Sequence, residues 1–217
     1  MAAVTVIGGH GKIALRLAQQ LSDARHEVTS WIRNADQSAD IEEVGATPAV
    51  LDVESLSVEQ MTEAFAGADV VVWSAGAGGG NPERTIAVDR DAAIRSMEAA
   101  VAAGVPRYVM VSYIGSGPDH GVPQDNPFFT YAQAKTDADA HLRETSLDWT
   151  ILGPSTLTDD SGTGRIEVGD DLEPGHVTRD DVATVAAYVV KHDVFARTTV
   201  LFNNGETPIK LALDAIV

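Results

Sequence analysis

The chain has 217 residues, 32 of them acidic against 15 Lys and Arg, and no cysteine. That length can bury a full core and suits one α/β domain, and the absence of cysteine excludes disulfides and thiolate metal sites. A net charge of −17 argues against nucleic acid, whose binders need a basic patch to displace counterions. No apolar run is long enough to cross a membrane, and the N-terminus enters its first strand without a basic leader or cleavage site, so no signal peptide and a cytoplasmic location are expected.

The opening stretch, VTVIGGHGKIALRLAQQL, runs from Val4 to Leu21. Val4, Val6 and Ile7 are β-branched and suit a buried strand. From Ile13 the apolar residues recur at helical spacing, through Leu17 to Leu21, with Ala14 and Ala18 on the same side. Gly8, Gly9 and Gly11 therefore sit in a strand-to-helix turn, where glycine permits positive φ and close approach. The helix start directs unpaired N–H groups and a positive dipole end into that turn, and a phosphate suits it. Read as Gly8-x-x-Gly11-x-x-Ala14 or Gly9-x-Gly11-x-x-Ala14, the pattern approaches the dinucleotide fingerprint in its required context. Gly8, Gly9, His10, Gly11, Lys12 and Ile13 are expected to hold a pyrophosphate. His10 either touches it or faces solvent. In so acidic a chain the site must be locally positive, and His10, Lys12 and Arg33 are placed to make it so.

The second strand, in HEVTSWIRN, ends near Arg33 and carries no carboxylate to grip ribose hydroxyls; arginine suits a 2′-phosphate, which favours NADP over NAD. A short helix then leads to a strand ending at Asp52. Asp52 with Val53 either meets the adenine amino group or only forms a turn. The strongest strand, VVVW, exits through Ser74, Ala75 and Gly76 into a glycine-rich turn. A long helix follows, capped by Asn81 and Pro82 and stopped by Gly104, with Ile86, Ala93, Ile94, Met97 and Val101 as its expected buried stripe. The fifth strand, in RYVMVSYIGS, exits at Ser112 into a polar loop that is long enough for a lid. A second long helix starts near Pro127, and the sixth strand exits at Gly153, Pro154 and Ser155. The segment from Thr156 to His176 shows no clear period. Thr178 caps a further helix, and a last strand and helix close the chain. Trp31, Trp73 and Trp149 lie in strands and read as core. No histidine pair has metal spacing, and no metal is expected.

Alternating strands and helices with near-continuous apolar strands imply a Rossmann-type, doubly wound parallel sheet with helices on both faces. Its ligands lie beyond the carboxyl ends of the strands. In YAQAK, Tyr131 and Lys135 share a helix face. A nearby ammonium favours the phenolate and lowers the phenol's pKa, which would make Tyr131 a general acid for a carbonyl oxygen receiving hydride. Ser112 would hold that oxygen, and Lys135 the nicotinamide ribose.

Gly8-x-x-Gly11, Arg33, Asp52-Val53, the WSAG exit, Ser112 and Tyr131-x-x-x-Lys135 together resemble the short-chain dehydrogenase/reductase superfamily. Within it the chain is most similar to small atypical NAD(P)-binding proteins, epimerase-like or NAD(P)H-binding, related to biliverdin and flavin reductases and to NmrA-like sensors. The resemblance spans nearly the whole chain. It implies a sheet of about seven strands in a single domain over 1–217, with a small substrate-side segment around 154–178. It also implies NADP binding and Ser112, Tyr131 and Lys135 as the catalytic set. Asp89 stands where typical enzymes carry asparagine, and the substrate segment is short for a nucleotide-sugar. The expected activity is NADPH-dependent reduction of a small carbonyl, quinone or flavin-like acceptor, by a monomer or small homo-oligomer. The alternatives are an epimerase or dehydratase, and an NADP-binding redox sensor without turnover.

Overall fold

Val4, Val6 and Ile7 form the middle of a sheet in a computed structural model that describes residues 1–78, 80–173 and 175–217. Gly79, in the glycine-rich turn, and Pro174, in the segment after the sixth strand, lie outside the described residues. In chain order the first half runs β1 (Ala3–Ile7), α1 (Lys12–Asp23), β2 (Glu27–Ile32), α2 (Ser38–Glu43), β3 (Thr47–Val50), α3 (Val58–Ala64) and β4 (Val70–Trp73). The long helix follows as α4 (Pro82–Thr85), a π segment (Ile86–Ala92) and α5 (Ala93–Ala103). Then come β5 (Arg107–Val111), α6 (Phe129–Glu144), β6 (Asp148–Pro154), β7 (Thr156–Thr158), β8 (Arg165–Val168), β9 (His176–Thr178), α7 (Arg179–Lys191), β10 (Thr198–Asn204), β11 (Thr207–Pro208) and α8 (Ile209–Asp214).

Strands β3-β2-β1-β4-β5-β6-β10 form the expected parallel sheet of seven. Two further strands extend it: β8 pairs antiparallel with β10, and β11 with β8. β7 and β9 make a separate parallel pair. The segment read as irregular thus holds β7 and β8 and leads into β9, strands of three or four residues, too short for alternation to register in the sequence.

The period of two along each strand divides the core. Val4, Val6, Val70 and Val72 pack under α1 and α7, with Leu17, Leu21, Val185 and Val189. Val71, Trp73, Tyr108 and Met110 face the other way, toward Met61, Met97 and Leu142 of α3, α5 and α6. All three tryptophans are buried, Trp31 stacked on Phe65 at 4.7 Å.

Capping follows the sequence. Asn81 Oδ1 accepts from the Arg84 N–H at 3.0 Å, Gly104 ends α5 at φ +70°, and Thr178 Oγ1 accepts from the Asp181 N–H at 3.0 Å. The buried stripe of the long helix differs from expectation. Val101 is 41% exposed and Ile86 and Ile94 are only half-buried, while Val88, Asp89, Ala92, Ser96 and Ala100 are covered. The π segment widens its turns by a residue and moves the covered face around the axis, which a constant 3.6-residue period does not anticipate. It also brings Asp89 inward. Strand order reverses between β1 and β4, so the carboxyl ends of these two strands bound the crevice where such sheets take ligands.

Candidate active site

At the end of β1 the turn is built from glycines that the chain itself requires. Gly8 has φ +80°, and a Cβ there would lie 2.6 Å from Ala75 Cα; one on Gly9 would lie 2.6 Å from Ser30 Cβ. The Gly9 N–H donates to Trp31 O at 2.8 Å and the Gly11 N–H to Gly8 O at 2.8 Å, which closes the turn. Gly11 caps α1 without a side-chain hydrogen bond, and the first turn of α1 holds no acid. An uncapped helix start of this kind fits a pyrophosphate. A Gly8→Ala substitution combines a left-handed φ with overpacking against backbone, and each costs about 1–3 kcal/mol. Urea denaturation is expected to show a loss of ~2–6 kcal/mol.

Beside this turn lies a cavity of about 380 Å³ between the ends of β1, β2, β3 and β4. His10, Arg33, Asp52, Val53, Glu54 and Arg84 line it, and Ser74, Ala75 and Gly76 form its inner wall. Its floor loop is pinned from α5, where Arg95 donates to Val53 O at 2.9 Å and Leu56 O at 3.2 Å. Asp52 Oδ1 accepts from the Glu54 N–H at 3.1 Å, so its side chain shapes the turn while lining the cavity. Glu54 Oε1 accepts from Arg84 Nε and Nη2 at 3.0 and 2.9 Å, and Arg33 Nη1 stands 3.6 Å from the same oxygen. The sequence reading missed Glu54 and Arg84, because neither sits at a strand exit in a recognised motif. The His10 ring lies between Asp40 at 2.6 Å and Gln37 at 3.0 Å, which ties its imidazole to the connection after β2.

Four expected ligands line neither this cavity nor the second one described below. The Lys12 ammonium pairs with Asp159 at 2.6 Å, and its side chain, 63% exposed, lines neither cavity. An acidic loop beyond β7 has claimed it. Gly9 is within the turn with its N–H given to Trp31 O, Pro154 is the end of β6, and the Ser155 hydroxyl donates to Asn203 Oδ1 inside the sheet. None of these three lines either of the two cavities. Ile13 does line the second one.

This second cavity, about 770 Å³, lies on the other side of the Ser74–Gly76 wall. Ser112, Tyr131 and Lys135 all open on it, with Asp89, Phe128 and Leu157. Tyr131 is held by Phe128 and Tyr113, ring centroids at 5.1 and 5.6 Å. Lys135 is buried, its ammonium donating to Val111 O at 2.9 Å and approaching Met110 Sδ at 3.2 Å. Burial pushes its pKa down, against the carboxylates of Asp139 and Asp89. Asp89, also buried, accepts the Ala77 N–H at 3.0 Å and so anchors the wall shared by both cavities; burial pushes its pKa up.

The expected lowering of the Tyr131 pKa is reversed. Burial raises it first, and Asp89, Asp139 and Tyr113 add to the rise. The desolvated surroundings and the two carboxylates set this direction. The largest omission of the sequence reading is Asp139, fully buried one helical turn beyond Lys135. Its Oδ2 accepts from both Ser112 Oγ and Ser116 Oγ, each at 2.5 Å.

The sheet, its switch point, the uncapped glycine turn and two cavities sharing one wall define a Rossmann-type dinucleotide-binding protein. Residues 8–193 match the family described as NAD(P)H-binding, and the chain belongs to that family. A Bacillus subtilis protein named an uncharacterized sugar epimerase, YhfK, is 35% identical over 217 residues, covering 98% of this chain and 99% of its own. The solved structure of a protein described as a putative NAD-dependent epimerase/dehydratase from Bacillus halodurans is 33% identical with a TM-score of 0.90, over 99% of this chain and 100% of that one. That of the oxidoreductase ylbE from Lactococcus lactis is 27% identical with a TM-score of 0.87, over 99% and 96%. These relatives agree with an atypical member of the short-chain dehydrogenase/reductase superfamily.

Proposed function

We propose that the protein is an NADPH-dependent reductase acting on a small uncharged carbonyl, quinone or flavin-like acceptor. The observation that carries this reading is the larger cavity, where a tyrosine held in its protonated form and a buried lysine face the wall shared with the nucleotide cavity. The cofactor, when bound, supplies the hydride. The uncapped turn from Gly8 to Ile13 receives the pyrophosphate, and Arg33 the 2′-phosphate. Lys135 has an N–H left after Val111 O and Met110 Sδ, and offers it to the nicotinamide ribose. Tyr131 gives its proton to the acceptor oxygen as that oxygen gains charge. The ammonium of Lys135 then steadies the phenolate until it regains a proton from solvent.

A phenol kept protonated is equipped to donate, which suits reduction. An epimerase must first remove a proton from a sugar hydroxyl, and needs the opposite tuning. A nucleotide-sugar also carries a diphosphate, yet among the described residues the charged groups lining the larger cavity are Asp89 and Lys135, both buried. The test is NADPH oxidation by the purified protein against aldehydes, ketones, quinones and flavins, with NADPH and NADH titrations alongside. Turnover is expected with uncharged acceptors; tight NADPH binding without turnover on any of them would reject the reductase reading.

A further inference from the structure

The two short hydrogen bonds at Asp139 bear on what Ser112 can do. Tyr131, Lys135 and Asp139 lie four residues apart on one face of α6. Asp139 Oδ2 accepts from Ser112 and Ser116 at 2.5 Å each, the length of hydroxyl–carboxylate bonds. Its Oδ1 has no partner among the described residues. A hydroxyl has one proton and two lone pairs. Because the proton of Ser112 points at Asp139, its oxygen turns only lone pairs toward the cavity it lines. Were Asp139 neutral, a proton on Oδ1 would be a buried donor without an acceptor, so it would sit on Oδ2 and release the serine proton.

We propose that Asp139 is a positioning residue that claims the proton of Ser112, so that Ser112 meets substrate as a hydrogen-bond acceptor and selects a carbonyl compound carrying a hydroxyl beside the reacting carbon. This rests on the reductase reading, with Tyr131 as the one donor at the reacting oxygen. A serine that accepts cannot stabilise developing negative charge.

The probes are α-hydroxyacetophenone and propiophenone, in which a methyl of similar size replaces the hydroxyl; both are uncharged. Wild-type protein with NADPH is expected to favour the hydroxy ketone roughly three- to tenfold in kcat/KM, the size of one hydrogen bond. Ser112→Ala is expected to erase that preference while lowering kcat less than about tenfold. Loss of a true oxyanion donor costs about 10²–10³-fold, so an equal loss of that size on both ketones would overturn the proposal. Asp139→Asn, which faces Ser112 with an amide, is expected to abolish the preference as well; retention overturns the role of Asp139. Infrared difference spectra of wild type against Ser112→Ala need no turnover. A shifted carboxylate band is expected, and a shifted band of a protonated carboxyl would overturn the proposal. If no acceptor is reduced, the reductase reading fails by itself and the spectra decide the role of Asp139.

Discussion

Tyr131→Phe is expected to lower kcat for carbonyl acceptors by about 10²–10⁴-fold, the usual range for losing a positioned general acid, with NADPH affinity unchanged. The substitution removes only the hydroxyl. The ring keeps its places against Phe128 and Tyr113, so the wall of the cavity survives. The pH profile follows from the direction of the shift. The protonated phenol is the active form, so activity falls as pH rises through its pKa. Burial and the carboxylates of Asp89 and Asp139 raise that pKa, so the fall lies above the ordinary phenol value of about 10, and the rate stays flat through neutral pH. Steady-state kinetics across pH checks both points. Turnover of a flavin or quinone that survives Tyr131→Phe identifies an acceptor that takes its proton from elsewhere, and confines the role of Tyr131 to carbonyl substrates.

What the sequence showed and what it hid divide along one physical line. Local signals were readable: the β-branched run and glycine turn before α1, the Asn81 and Thr178 caps, and the left-handed stop at Gly104. Each depends on residues within a few positions of one another, so the chain carries it whole. The parallel sheet was readable for a related reason, since buried strands leave continuous apolar runs. Features set by distant partners were not. Lys12 is adjacent to the glycine turn in sequence, but its charge is taken by Asp159, 147 positions away. Ser112 was recognised as a strand exit, yet the group that fixes its proton is 27 residues further on a helix. Asp139 carries no motif of its own, and one more acid among 32 has no signal until folding buries it. The π segment was hidden differently. Its extra residue per turn leaves composition untouched and alters only which side chains face inward.

Arg33→Ala is expected to weaken NADPH binding by about 10–100-fold while changing NADH affinity less than about threefold. Hydrogen bonds to a charged partner contribute about 1.5–3 kcal/mol, which corresponds to that range. In the proposed NADPH complex the geometry favours Arg33 over Arg84 as the residue that meets the 2′-phosphate. Arg84 holds Glu54 Oε1 through two nitrogens at 3.0 and 2.9 Å and also donates to Ala77 O at 2.6 Å, so its guanidinium is committed to the cavity wall. Arg33 reaches the same oxygen only at 3.6 Å, and its side chain is 59% exposed. With the charge of Glu54 already balanced by Arg84, a 2′-phosphate competes for Arg33 against a loose and solvated contact. Because that arginine is exposed, the NADPH preference is expected to shrink as salt is added, whereas NADH affinity changes little. Calorimetric titration of both nucleotides at two ionic strengths measures this directly. Equal weakening of NADPH and NADH in Arg33→Ala would mean that the residue steadies the adenosine instead of reading the phosphate, and discrimination would then have to come from Glu54.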